Sequence, residues 1–211
     1  MKIVVFGASG ATGRQVVSQA LAAGHEVTAF VRDPLRAPAA HPALRVAVGQ
    51  VTSDQEAVTG AVRGQDAVLS TLGTSRDRQG MLSPTVHAAA LPVIVAAMRE
   101  TGVRRVVYQS SLGVGESVAD TPALLRLLYR PLARVFADKA AGEAALRAGG
   151  LEWTLVYPVM MTNGPRTRTY RTGEHLKLTG LPRVSRADVA DFMLREAGAP
   201  AYPYKIAMIT G

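Results

Sequence analysis

Residues Ile3 to Phe6 form an unbroken apolar run that stops at Gly7-Ala8-Ser9-Gly10-Ala11-Thr12-Gly13, and helical apolar spacing (Val16, Val17, Leu21) begins directly behind the last glycine. A strand that ends in a glycine turn and opens a helix aims unpaired backbone N–H groups and the positive end of the helix dipole at one point, where a pyrophosphate can sit. In this reading Gly7 permits the tight turn, Gly10 lets a diphosphate approach the backbone with no Cβ between, and Gly13 lets the helix pack closely on the strand. Ser9, Ala11 and Thr12 lie between the glycines and count with them as cofactor-binding candidates. Gly24 stops the helix and Glu26 to Val31 reads as a second strand, which completes a βαβ unit.

The alternation continues. Leu44 to Val48 reads as a third strand, Asp54 to Val58 as the start of a short helix with an acidic first turn, and Asp66 to Thr71 as a fourth strand. Ser83-Pro84 has the form of an N-cap and first helical residue for a helix running to about Glu100, with Pro92 expected to kink it and Gly102 to end it. Val103 to Gln109 is a fifth strand delivering Ser110 and Ser111 to the edge that holds the glycine turn. Thr121 to Ala148 is helical by spacing, with a break at Pro131 and a stop at Gly149-Gly150. Trp153 to Tyr157 is a sixth strand stopped by Pro158. Asn163 to Gly180 is polar and reads as a flap or hairpin, followed by a helix from Arg186 to Glu196 capped by Ser185 and a closing strand from Tyr204 to Ile209. The expected fold is therefore α/β, a Rossmann-type, doubly wound and mostly parallel sheet with helices on both faces. One domain is expected over residues 1–211, with a small substrate flap at about residues 160–182.

The 211 residues include no cysteine, which excludes disulfides, thiolate metal sites and cysteine nucleophiles. The four histidines, His25, His41, His87 and His175, are dispersed and suggest no metal site. A formal charge of +8 raises the question of nucleic acid, but only four of the 24 basic residues are lysines and the arginines are scattered along the chain. A basic mouth for an acidic ligand fits that distribution better, and no nucleic-acid partner is expected. The apolar run Ala88 to Met98 is too short to span a bilayer, and the apolar start leads into the turn rather than a cleavage site. A soluble, cytoplasmic protein, monomeric or homodimeric, with a small-molecule substrate and no membrane partner is expected.

GASGATG together with the VRDP at 31–34, the LGT at 72–74, the SS at 110–111, the GLEWTLVYP at 150–158 and the SRADVADFML at 185–194 resembles the atypical short-chain dehydrogenases/reductases. The subgroup is that of the NAD(P)H-binding, NmrA-like proteins, and within it the biliverdin-IXβ/flavin reductases. The resemblance implies NADP(H) as cofactor, with a flavin possible as substrate, and places Leu72, Gly73, Thr74, Ser110, Lys139, Tyr157 and Pro158 against the cofactor. Charge supports the choice of NADP, because an arginine at the end of the second strand, here Arg32, pairs with a 2′-phosphate where an acid would take the ribose of NAD. The resemblance adds Arg36 as a second such arginine; Asp33 can orient Arg32 or meet the adenosine ribose.

Typical short-chain dehydrogenases use a tyrosine four residues before a lysine, the lysine lowering the tyrosine pKa so that it protonates a carbonyl oxygen. Lys139 stands in the lysine position, but Val135 occupies that of the tyrosine. Carbonyl chemistry is thereby disfavoured, and a conjugated ring that accepts hydride directly is favoured. Ser111 and Tyr157 are the catalytic candidates, with Met160 and Met161 able to line an apolar pocket and the arginines at 166, 168 and 171 able to meet an acidic acceptor. The histidine that biliverdin/flavin reductases carry after the sixth-strand proline is absent, Val159 standing there. Three functions follow in order: an NADPH-dependent reductase of a flavin, quinone or tetrapyrrole; a non-catalytic NADP(H)-binding redox sensor; and an isomerase or epimerase of nucleotide-linked sugars, for which both the tyrosine and a larger substrate domain are wanting.

Overall fold

The computed structural model describes residues 1–73 and 85–211. Along the chain run β1 (Lys2–Phe6), α1 (Ala11–Ala22), β2 (Glu26–Val31), β3 (Leu44–Val48), α2 (Gln55–Val62), β4 (Ala67–Ser70), α3 (Val86–Thr101) and β5 (Arg105–Gln109). They are followed by α4 (Ala123–Tyr129), α5 (Ala133–Ala148), β6 (Glu152–Pro158), β7 (Met160–Thr162), β8 (Arg171–Gly173), β9 (Arg183–Ser185), α6 (Arg186–Gly198) and β10 (Lys205–Thr210).

Eight strands form one sheet in the order β3-β2-β1-β4-β5-β6-β10-β8, parallel throughout except for β8, which runs antiparallel to β10. The direction of winding reverses between β1 and β4, so the carboxyl ends of those strands border the crevice in which ligands of such sheets bind. The central strands are Val/Ile/Leu-rich and buried on both sides, as parallel strands covered by helices must be. One helical layer pairs α1 with α6, and the other sets α2, α3 and α5 side by side.

Helix ends follow local chemistry. The Asp54 carboxylate caps α2 by accepting the Ala57 N–H, Ser185 caps α6 by accepting that of Asp188, and Gly102 closes α3 in the left-handed region at φ 75°. The long helix expected over residues 121–148 is two helices separated by a short 3-10 turn at Arg130–Leu132, because Pro131 has no N–H to continue the ladder. Pro92 lies inside α3 without ending it. Ser83, Pro84 and the cofactor candidate Thr74 lie outside the described residues; Thr85 takes the N-cap position without a side-chain cap.

β6 ends at Pro158, as expected: this proline is the last residue of the strand, opposite Ile209, and the Val159 N–H beyond it bonds the Ile209 carbonyl. One expectation needs correction: the segment after β6 is not a self-paired hairpin. β7 pairs in parallel with β9, while β8 joins the main sheet as its edge strand. Three-residue strands carry no readable periodicity, and their partners lie far along the chain.

Candidate functional site

The glycine turn is built as its spacing demands. Gly7 sits at φ 81°, and a Cβ there would lie 2.7 Å from the Thr71 carbonyl, so the chain leaving β4 passes directly over it. The Thr71 hydroxyl locks this approach by donating to the carbonyls of Phe6 (3.1 Å) and Gly7 (3.3 Å), which brings Leu72 and Gly73 beside the cradle. A Cβ on Gly13 would stand 2.1 Å from the Gly7 oxygen, so this glycine is required by contact with the turn itself rather than with the strand. Gly10 is different: among the described residues a Cβ there meets the Gly7 oxygen, at 3.2 Å, and nothing else within 4 Å. The first intrahelical bond runs from the Arg14 N–H to the Gly10 carbonyl. The amides of Ala11, Thr12 and Gly13 are thus left unused by the helix, and its first turn contains no acid. Ser9 and Gly10 remain accessible at the rim.

Arg14, which sequence reasoning passed over, straps the neighbouring loop to this turn: Nε donates to the Ser9 carbonyl at 3.1 Å and an Nη to the Arg36 carbonyl at 2.9 Å. The loop after β2 is thereby held at the cradle, with Arg32 and Arg36 exposed on it. Arg32 makes no hydrogen bond or ion pair among the described residues. Asp33 is occupied, its carboxylate accepting the Leu35 N–H at 3.0 Å to cap the 3-10 turn Pro34–Arg36.

At the ends of β5 and β6 the buried side chains converge on a carboxylate that sequence reasoning missed. Glu143 of α5, 3% exposed, accepts a short hydrogen bond from the Ser110 hydroxyl on one oxygen and one of 2.6 Å from the Tyr157 hydroxyl on the other. Burial raises the Glu143 pKa, against the pull of those two donors and of Lys139. Burial and the Glu143 carboxylate together push the Tyr157 phenol far above its ordinary range. Tyr157 is completely buried and its hydroxyl turns inward to Glu143. Ser111 is the accessible candidate: it is half-exposed, and its hydroxyl has no partner among the described residues.

Lys139 lies one helical turn before Glu143 on the same buried face. Its ammonium donates to the Gln109 carbonyl at 3.4 Å and stands 5.7 Å from the centre of the Tyr108 ring, and burial pushes its pKa down to about 8. The Tyr108 hydroxyl is 2.8 Å from Nδ1 of His87, whose pKa burial, helped by Lys139, pushes down to about 2; this histidine is neutral. Asp138 is turned the other way, accepting the His87 and Ala88 N–H groups at the start of α3. The Pro158 carbonyl accepts the Leu112 N–H at 3.1 Å and so ties the loop after Ser111 to the end of β6. Met161 closes the ring of elements, its sulfur 3.9 Å from the Thr12 hydroxyl and 3.5 Å from the Gln109 amide nitrogen.

The arginines expected to greet an acidic acceptor are mostly committed elsewhere. Arg168 (2.9 Å) and Arg166 (3.7 Å) pair with Asp191 of α6, which also accepts the Tyr170 hydroxyl at 2.8 Å. Asp188 takes the Thr167 and Arg168 N–H groups as well. Arg171 lies on β8 at the sheet edge, two strands beyond β6.

Comparison with known proteins agrees with this geometry. The model of a family described as NAD(P)H-binding matches residues 7–200. Among curated proteins, the chain is 33% identical over 121 residues to a 3-beta-hydroxysteroid dehydrogenase of Mycolicibacterium neoaurum; the match covers 54% of this chain and 32% of that one, so the chain spans about a third of that relative. Solved structures of similar fold include an anaerobilin reductase from Escherichia coli O157:H7 (TM-score 0.81, 22% identity, 99% and 96% of the two chains covered). A short-chain dehydrogenase/reductase from Veillonella parvula in complex with NADP (0.83, 19%, 100% and 94%) is equally similar. So is a Streptococcus pneumoniae protein assigned as an NADH-flavin reductase (0.78, 23%, 100% and 99%). A parallel sheet with its switch point at β1/β4, a glycine turn at that point and a matching family model over residues 7–200 make this chain a member of the NAD(P)H-binding family on a Rossmann-type fold.

Proposed function

We propose that the protein is an NADPH-dependent reductase that passes hydride to a planar conjugated acceptor, a flavin, a quinone or a tetrapyrrole. The observation that carries this reading is a complete dinucleotide cradle combined with Val135 where a carbonyl reductase needs its tyrosine acid. An acceptor whose ring system takes hydride without a protein acid at the reacting atom is the substrate such a site serves. Two proteins of the same fold, named for anaerobilin and for flavin reduction, act in that class by name.

The residues suit NADPH. The free amides of Ala11 to Gly13 would hold the pyrophosphate, with Gly10 keeping the approach clear, and Arg32 and Arg36 would meet the 2′-phosphate. The cofactor when bound supplies the hydride. Lys139, with Gln109 and Ser110 at the end of β5, would lie on the side of its nicotinamide half, and the Ser111 hydroxyl would be open to the nicotinamide or the acceptor. Ser110 and Tyr157 serve from within, through Glu143, by fixing the ends of the strands. An NADP(H) sensor without turnover is the second reading, favoured by the inward direction of the Tyr157 and Ser110 hydroxyls.

Losing a charge-assisted contact to phosphate costs roughly 1.5–3 kcal/mol. Arg32→Ala is therefore expected to weaken NADPH by roughly 10- to 100-fold while leaving NADH nearly unchanged. Fluorescence titration of both cofactors onto both proteins measures this. Equal affinity of the unaltered protein for NADPH and NADH would remove the 2′-phosphate role from Arg32.

A further inference from the structure

Arg14 stands where helix chemistry disfavours a cation. It lies in the first turn and a half of α1, behind amides that already present partial positive charge, and no acid accompanies it in the first turn. Its guanidinium bridges two carbonyls of separate elements: Ser9 in the glycine turn, 3.1 Å from Nε, and Arg36 in the loop after β2, 2.9 Å from an Nη. Both partners are backbone groups, so the bridge depends on the Arg14 side chain alone. The loop itself is closed locally, the Arg36 N–H bonding the Asp33 carbonyl and the Ala37 N–H that of Pro34, each at 3.1 Å. Asp33 turns its carboxylate to the Leu35 N–H. Among the described residues, Arg14 therefore supplies the side-chain hydrogen bond that joins this closed turn to the cradle.

We propose that Arg14 is a specificity-determining positioning residue: by bridging the Ser9 and Arg36 carbonyls it fixes the loop arginines relative to the glycine turn, and so sets how strongly the protein prefers a dinucleotide with a 2′-phosphate over one without. This rests on the assignment of Arg32 and Arg36 to the 2′-phosphate made above and needs nothing from the acceptor. A loop held in place before binding loses less freedom when it meets a phosphate, whereas a released loop must be ordered each time. The pyrophosphate is common to NADPH and NADH, so any effect there cancels in the ratio of the two affinities. The effect of the bridge on the loop does not cancel. A lysine at this position would keep the charge but lack the planar fork that spans the two carbonyls.

Titration of NADPH and NADH onto the unaltered protein, Arg14→Ala and Arg14→Lys tests this, beside hydrogen exchange of residues 32–37 without cofactor. Arg14 is exposed and both replacements are good helix formers, so both variants should fold. Each should cut the preference for NADPH over NADH by about threefold to tenfold, the effect of one lost hydrogen bond, and each should speed exchange in the loop. A smaller change in Arg14→Ala, or unchanged exchange in both variants, overturns the proposal. So does recovery of the full preference in Arg14→Lys, which would assign the effect to charge alone. No preference in the unaltered protein would remove the 2′-phosphate reading and the proposal together, whereas a preference that survives the substitutions strikes the proposal alone. Failure to find an acceptor would sink the reductase reading without touching these titrations.

Discussion

Gly10→Val is expected to abolish NADPH binding, with affinity falling more than about 100-fold, while the fold survives. The valine side chain would project from the rim of the cradle into the space a diphosphate needs against the free amides of α1. Among the described residues its Cβ meets only the Gly7 oxygen at 3.2 Å, a contact relieved by a few tenths of an ångström, and Gly10 has an extended backbone (φ −76°, ψ 168°) that valine readily adopts. Gly13→Ala is the instructive contrast: its methyl would stand 2.1 Å from the same oxygen, so the turn must move and about 1–3 kcal/mol of stability should go with it. Calorimetric titration beside thermal melts separates the two. Normal NADPH affinity in a folded Gly10→Val protein would mean that the cofactor lies elsewhere.

Arg105→Leu should produce the largest loss of stability of any single change at the opposite, amino-terminal edge of the sheet. The guanidinium is buried at the start of β5, where it donates to the Glu196 carbonyl (2.7 and 3.1 Å), the Glu152 carbonyl (3.2 Å) and the Thr154 hydroxyl (2.8 Å), and pairs with the Glu196 carboxylate at 3.3 Å. Glu196 is 2% exposed and also receives the N–H groups of Ala201 and Tyr202. The Arg105–Glu196 pair therefore joins β5, β6, α6 and the loop before β10. Removing the arginine strands a buried carboxylate, which costs about 3–5 kcal/mol. In a domain of this size that lowers the melting temperature by roughly 6–20 °C. Cofactor affinity of the folded fraction should hold, since the site lies at the other ends of these strands. A melting temperature within about 2 °C of the unaltered protein would show the cluster to be energetically idle.

Features set by neighbours in sequence were legible, and those set by neighbours only in space were not. The glycine turn, the third strand, the Ser185 cap and the break at Pro131 each depend on a few adjacent residues, and each stands where local chemistry puts it. Glu143 reads along the chain as one more acid on an alanine-rich helix. Its meaning comes from Ser110 and Tyr157, 33 and 14 positions away, which only the adjacency of β5 and β6 brings onto it. The Arg105–Glu196 pair spans 91 positions and left no local mark. Arginines 166 and 168 looked free because their partner, Asp191, sits in a helix whose packing the sequence does not disclose. Among the described residues no helix is long and apolar enough to cross a membrane.

The most direct test of the reductase reading is NADPH oxidation by the purified protein against a panel of FMN, riboflavin, quinones and biliverdin, followed at saturating cofactor in single turnover. Acceptor-dependent oxidation well above the buffer rate with at least one conjugated ring is the expected result. Tight NADPH binding with oxidation no faster than the buffer blank for every acceptor would contradict it and leave the sensor in its place.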